Sequence, residues 1–106
     1  MIDAIINASA IPFRPGRFPD PPEETYGVWF DAITADGPDD EAPLVFTHDV
    51  TMELYAPTID VAQASQNAFE TAINAQGIPW TTQGWYWLEN IQRYQSVYEF
   101  TYTTKN

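Results

Sequence analysis

Residues 60–76 are the one stretch with a helical repeat of ordinary length, and the alternating stretches on both sides of it leave few folds open. Val61, Ala64, Ala68, Phe69, Ala72 and Ile73 recur at three- and four-residue steps, while Gln63, Gln66, Asn67, Glu70 and Asn74 fall mostly elsewhere on the wheel. Asp60 followed by Gln63 reads as a capped start, and Gly77 as the stop. Before and after this stretch, side-chain character changes at every second residue, which is the period of a strand. The expected fold is α+β: an antiparallel, mostly four-stranded sheet in the order β-β-α-β-β, with one main helix packed on one face.

Taken in order, residues 2–9 suit a short helix presenting Ile2, Ile5 and Ile6, too short to persist in water without tertiary support. Residues 11–22 carry five prolines and Gly16, which excludes regular helix and predicts an extended arm with room for an edge strand at 11–14. Residues 25–33 read as a strand with Tyr26, Val28, Phe30 and Ala32 on one face and Trp29, Asp31 and Ile33 on the other. Both faces carry apolar groups, so this strand is expected to be central or covered by a partner. Residues 35–43 form an acidic loop with Asp36, Asp39, Asp40 and Glu41.

Residues 44–56 alternate cleanly, with Val50, Met52 and Leu54 inward and Asp49, Thr51, Glu53 and Tyr55 outward. A strand at 83–89 places Trp85 and Trp87 on one face and Tyr86 and Leu88 on the other. The last strand, 93–103, sets Tyr94, Tyr98, Phe100 and Tyr102 against Gln95, Val97, Glu99, Thr101 and Thr103. A length of 106 residues and the absence of any repeat or linker predict a single domain over 1–106.

Fifteen acidic residues against Arg14, Arg17, Arg93 and Lys105 give a net charge of -11. Such a surface repels phosphate backbones, which argues against ordinary nucleic-acid binding. Sixteen aromatic residues argue equally against a disordered acidic polymer. No cysteine is present, so disulfides, thiolate metal sites and cysteine nucleophiles are excluded. The N-terminus lacks the basic start of a secretion signal, and no run is long and apolar enough for a membrane span, so a soluble protein made in the cytosol is expected.

Catalytic chemistry has little to work with. The single histidine, His48, adjoins Asp49, but neighbouring strand residues point to opposite faces, so the two do not form a dyad. Glu53 and Glu99 could approach each other across the sheet, yet both read as outward-facing. The acidic loop lacks the ligand spacing of a calcium loop, and there is no phosphate-binding glycine loop. The expectation is no enzyme, no catalytic residue, no metal and no cofactor.

What the pattern favours is assembly. Phe13, Arg14, Arg17 and Phe18 on the arm are candidate subunit-interface residues, since oligomer interfaces are enriched in aromatic residues and Arg. Two of only four basic residues sit there, and Asp36, Asp39, Asp40 and Glu41 form the complementary loop. Arm and loop of neighbouring copies would pair head to tail, an arrangement that closes into a ring when the rotation permits.

Several patches carry a family resemblance. Ile11-Pro12-Phe13, Tyr26-Gly27-Val28-Trp29-Phe30, the acidic loop, the strand His48-Asp49-Val50-Thr51-Met52-Glu53-Leu54-Tyr55, Gly77-Ile78-Pro79-Trp80, and Arg93-Tyr94 with Tyr98-Glu99-Phe100 resemble the tail-terminator proteins of long-tailed bacteriophages and prophages, also called tail-completion or head-tail joining proteins. The resemblance spans roughly residues 11–102 and rests on the order of elements rather than on a catalytic signature. It implies a homo-oligomeric ring, commonly a hexamer, that caps the tail tube, ends its polymerisation and joins tail to head. The implied partners are other copies of the chain, the tail-tube protein and the head connector, with no membrane involved. The implied location is the virion tail or neck, assembled in the bacterial host cytoplasm. The family's longer N-terminal helix is replaced here by the short segment 1–10.

On that basis the charge acquires a role. DNA would pass through the ring without specific binding, repelled by a lumen lined with carboxylates drawn from Asp36, Asp39, Asp40, Glu41, Glu53 or Glu99. The alternatives are another phage neck or minor structural protein, and, from a different class, an acidic DNA mimic that inhibits a DNA-binding enzyme. A small enzyme built on His48 is the least favoured.

Overall fold

A computed structural model describes residues 1–36 and 45–105 of the chain. In those residues two helices, α1 (Ile2–Ser9) and α2 (Ile59–Asn74), accompany five strands: β1 (Phe13–Pro15), β2 (Tyr26–Asp36), β3 (Val45–Ala56), β4 (Trp80–Leu88) and β5 (Arg93–Lys105). The strands form one sheet in the spatial order β1-β2-β3-β5-β4. The α+β class and the succession of four main strands around one main helix agree with the expectation. The sheet itself is a correction: it has five strands and is mixed, because β1 pairs parallel to β2 while the other neighbours are antiparallel. A three-residue strand ending in Pro15 carries almost no periodic signal, and its proline is tolerated because the strand lies at the sheet edge.

The core lies between the helices and one face of the sheet. Val50, Met52, Leu54 and Ala56 of β3 and Ser96, Tyr98 and Phe100 of β5 are buried on that face beneath Phe69, Ala72 and Ile73 of α2. α1 contributes Ile2 and Ile5, so the eight-residue helix is held by burial that it could not supply in isolation. A chain reversal fastens its end. Ala10 adopts a left-handed conformation (φ 59°), and the Ser9 hydroxyl donates to the Ile6 carbonyl while accepting from the Ile11 amide.

Two details of α2 differ from expectation. The cap is Thr58, whose hydroxyl accepts from the Val61 amide at 3.2 Å, so the helix starts one residue before Asp60. The buried seam runs through Ala62, Phe69, Ala72 and Ile73, leaving Val61, Ala64 and Ala68 exposed. The rotation is explained by polar residues that reach partners beside the seam: the Ser65 hydroxyl lies 2.7 Å from that of Thr25, and Gln66 accepts from the Trp85 indole at 3.0 Å. A hydropathy wheel assigns such residues to solvent, although a hydrogen bond lets them sit part-buried.

β4 begins at Trp80 and carries an irregularity between Thr82 and Trp85, where Gly84 has φ +89°. The extra residue inverts the alternation. Trp80, Trp85 and Trp87 consequently share the helix-bearing face, and the indoles of Trp80 and Trp85 donate to Asn74 and Gln66 of the helical layer.

Candidate functional site

The sheet's other face has no helical layer among the described residues. Strand register places Phe30, Ala32 and Thr34 of β2, Thr47, Asp49, Thr51, Glu53 and Tyr55 of β3, and Gln95, Val97, Glu99, Thr101 and Thr103 of β5 together on it. Phe30 is 45% exposed and Tyr86, which joins this face from β4, is 53% exposed. The character is polar and acidic, with large aromatic groups at its margins. Asp49 and Glu99 line a notch of about 560 Å³ beside the start of β4, and Thr101 donates to Asp49 at 2.9 Å. Glu53 is opposite Val97 and Glu99 opposite Thr51, so these two carboxylates lie diagonally on the same face.

The arm shelters one end of this face. Phe18 meets Tyr26 edge-on with ring centres 5.3 Å apart, Tyr26 stacks on Tyr55 at 5.1 Å, and Arg93 donates to the Pro22 carbonyl. This cover buries Tyr26 and Val28, which explains apolar residues on both faces of β2. The Tyr55 hydroxyl donates to Glu53 at 2.7 Å and accepts from Gln95 at 3.0 Å. Burial, reinforced by the Glu53 carboxylate, pushes that hydroxyl up to about 12.

The arm's interface candidates divide into two groups. Phe13 stacks on Phe69 at 5.9 Å and belongs to the chain's own packing. Phe18 is half-buried against Tyr26, whereas Arg14 and Arg17 are exposed, the Arg14 guanidinium standing 5.9 Å over the Phe18 ring. Among the described residues neither arginine lies within ion-pair distance of a carboxylate; the one close contact between a carboxylate and a basic side chain joins Asp31 and His48. Of the acidic loop, Asp36 ends β2; Asp39, Asp40 and Glu41 lie outside the described residues.

His48 points to the helix-bearing face, away from Asp49. Its Nδ1 lies 2.9 Å from Asp31, its Nε2 lies 2.9 Å from the Thr104 hydroxyl, and its ring stacks on Tyr102 at 4.4 Å. Asp31 was not singled out in the sequence, although it shares a face with Ile33, which stands opposite His48. Such a diagonal contact depends on register, which the sequence of either strand alone does not state.

No family model, no curated protein and no solved structure matches this chain.

What the surface can do therefore follows from its own chemistry. Among the described residues no group of three His, Asp or Glu is placed to hold a metal ion, and no helix is long and apolar enough to cross a membrane. Asp31, His48 and Thr104 form a relay of hydrogen bonds, but each nitrogen of the ring is already engaged and stacking on Tyr102 holds the ring flat. That arrangement ties β2, β3 and β5 together. What this surface offers a partner is an acidic face, exposed aromatics at its margins, and arginines with no ionic partner in the described part of their own chain.

Proposed function

We propose that this chain is a structural protein of a long-tailed bacteriophage or prophage. In this reading copies assemble into a ring that caps the tail tube, ends its polymerisation and joins the tail to the head connector. The protein does no covalent chemistry, needs no cofactor, and acts in the virion after assembly in the host cytoplasm. Support comes first from the resemblance to tail terminators in the patches that surround β2, β3 and α2. The observation that carries the reading is the sheet face without a helical layer, on which Asp49 and Glu99 lie exposed and Glu53 follows, half-buried, at the end that the arm shelters. Turned toward the axis of a ring, these carboxylates repel phosphate over a Debye length of about 8–10 Å, so that DNA passes without adhering.

Arg14 and Arg17 support the same reading from the outside of the sheet. In a chain of net charge -11, two neighbouring exposed cations are the natural contact for the acidic end of another copy.

The test is genetic and visual. Deleting the gene from a phage that carries it should give tails of uncontrolled length that fail to join heads, and supplying the chain in trans should restore both. Tails of normal length, joined to heads without it, would refute the proposal.

A further inference from the structure

β2 outruns its outer neighbour. β1 pairs with β2 at residues 27–29, and the Gly16 amide, which donates to the Trp29 carbonyl at 2.9 Å, is the last hold of the arm on that edge. From Asp31 to Asp36 no strand among the described residues lies outside β2, so the outward backbone N–H and C=O groups are a template for another strand. The usual guards are missing. This edge holds no proline and no lysine, and Asp31 is turned to His48. Ile33 is 57% exposed although it lies on the helix-bearing face. The free edge of β5 beyond Phe100 is shorter and carries Lys105, a residue type that discourages edge pairing.

We propose that two copies of this chain pair antiparallel along residues 32–36 of β2, around a two-fold axis beside Thr34. The inference rests on the self-associating reading above and names one contact for it. Space and parity fix the axis. Gly16 fills the strip outside β2 as far as Phe30, so a second copy must enter beyond it. A two-fold axis normal to the sheet keeps every residue on its own face, so opposed residues must share parity. Pairing about Thr34 sets Ala32 against Asp36, Ile33 against Ala35, and Thr34 against itself. The β1 strand and Gly16 of each copy then lie past Asp36 of the other, so arm and incoming strand do not compete for one strip.

Charge and side chains select a second copy as the occupant. Arg17 follows Gly16 directly, about two residue spacings, or 7 Å, from the place that the incoming Asp36 takes beside Ala32. Both side chains reach across that distance, and the two-fold axis makes the pair twice. Arg17 is exposed and within ion-pair distance of no carboxylate among the described residues. On the helix-bearing face each Ile33 gains the Ala35 of the other copy, and on the open face the two Thr34 side chains meet as a cross-strand pair. The contact is isologous and stops at two copies. A closed ring needs another contact besides, and any assembly that uses this one throughout holds an even number of copies.

The chain has no cysteine, so single thiols report the contact directly. Directly opposed residues of an antiparallel pair have Cα atoms about 4.5–5.5 Å apart, inside the roughly 7 Å limit for a disulfide. Mildly oxidised Thr34→Cys should give a covalent dimer, while Thr103→Cys, exposed on β5, should stay single. Thr34 is exposed, so its replacement leaves the fold intact. Thr34→Lys and Thr34→Glu should each fail to associate through this edge, because like charges then oppose each other at the axis, and should pair when mixed. Sedimentation of the unaltered chain separates the failures. A chain that associates while Thr34→Cys stays single overturns the edge contact and leaves self-association standing; a chain that stays single overturns both. Cross-linking of Thr103→Cys as readily as Thr34→Cys would mean random collision and would also overturn the proposal.

Discussion

Phe13 stands opposite Gly27 in the parallel β1–β2 pair, and its ring occupies the space that a side chain on Gly27 would need. From there the ring stacks on Phe69, so the absence of one side chain lets the arm reach the core. Gly27→Ala should therefore destabilise the protein by about 1–3 kcal/mol, the usual cost of overpacking. Thermal unfolding would show it as a lower midpoint, by about 4–8 °C for each kcal/mol. In a Phe13→Ala background the same substitution should cost clearly less, because the overlap is gone. Equal costs in both backgrounds would show that the ring is not the obstacle.

Alkaline pH should probe the aromatic networks. Burial raises the Tyr55 hydroxyl to about 12 with the help of Glu53, and burial with Glu70 raises Tyr98 still further; the Tyr98 hydroxyl donates to Glu70 at 2.7 Å. An unfolded tyrosine ionises near its ordinary value of about 10. Above that pH the unfolded chain loses protons that the folded chain retains, so the stabilisation is complete below about 10 and declines as pH rises through the folded values. The unfolding midpoint should fall between pH 10 and 12, and Tyr55→Phe should make that fall shallower. A decline of unchanged steepness in Tyr55→Phe would contradict the assignment.

His48 offers a spectroscopic check. With Asp31 accepting from Nδ1, the neutral ring must carry its proton there and leave Nε2 to accept from Thr104. Long-range nitrogen–proton correlation spectra at neutral to mildly alkaline pH should show the Nδ1–H tautomer, and Asp31→Asn should disturb it. An Nε2–H tautomer in the unaltered protein would rule out the geometry described for this end of the sheet.

The arm provides the electrostatic test. Arg14→Glu with Arg17→Glu should weaken association by roughly tenfold or more while leaving the unfolding midpoint of the monomer nearly unchanged, because both side chains are exposed. Raising the salt should weaken the unaltered chain in the same direction. Association indifferent to both changes would remove the arm from the interface.

How much of this could be read without coordinates varied by element. β3 and β5 were legible because one face of each is buried and the other open, so Met52, Leu54, Tyr98 and Phe100 alternate with polar neighbours. β4 was legible only in part: its bulge at Gly84 reverses parity, so Trp80 could not be joined to Trp85 and Trp87 by counting in twos. The burial seam of α2 was displaced because Ser65 and Gln66 are satisfied by Thr25 and Trp85, partners distant in sequence. The same limit applies to the surface. Parity alone grouped Asp49, Glu53 and Glu99 on outward faces, but the meeting of Asp31 with His48, and of Phe13 with Gly27, depends on register between strands.

The central claim, that this chain works beside copies of itself, is tested most directly by sedimentation of the full chain over a wide range of concentration at low salt. A closed species of constant mass, several times the 12.0 kDa of one chain, is the expected result. A single 12.0 kDa species at every concentration would contradict it.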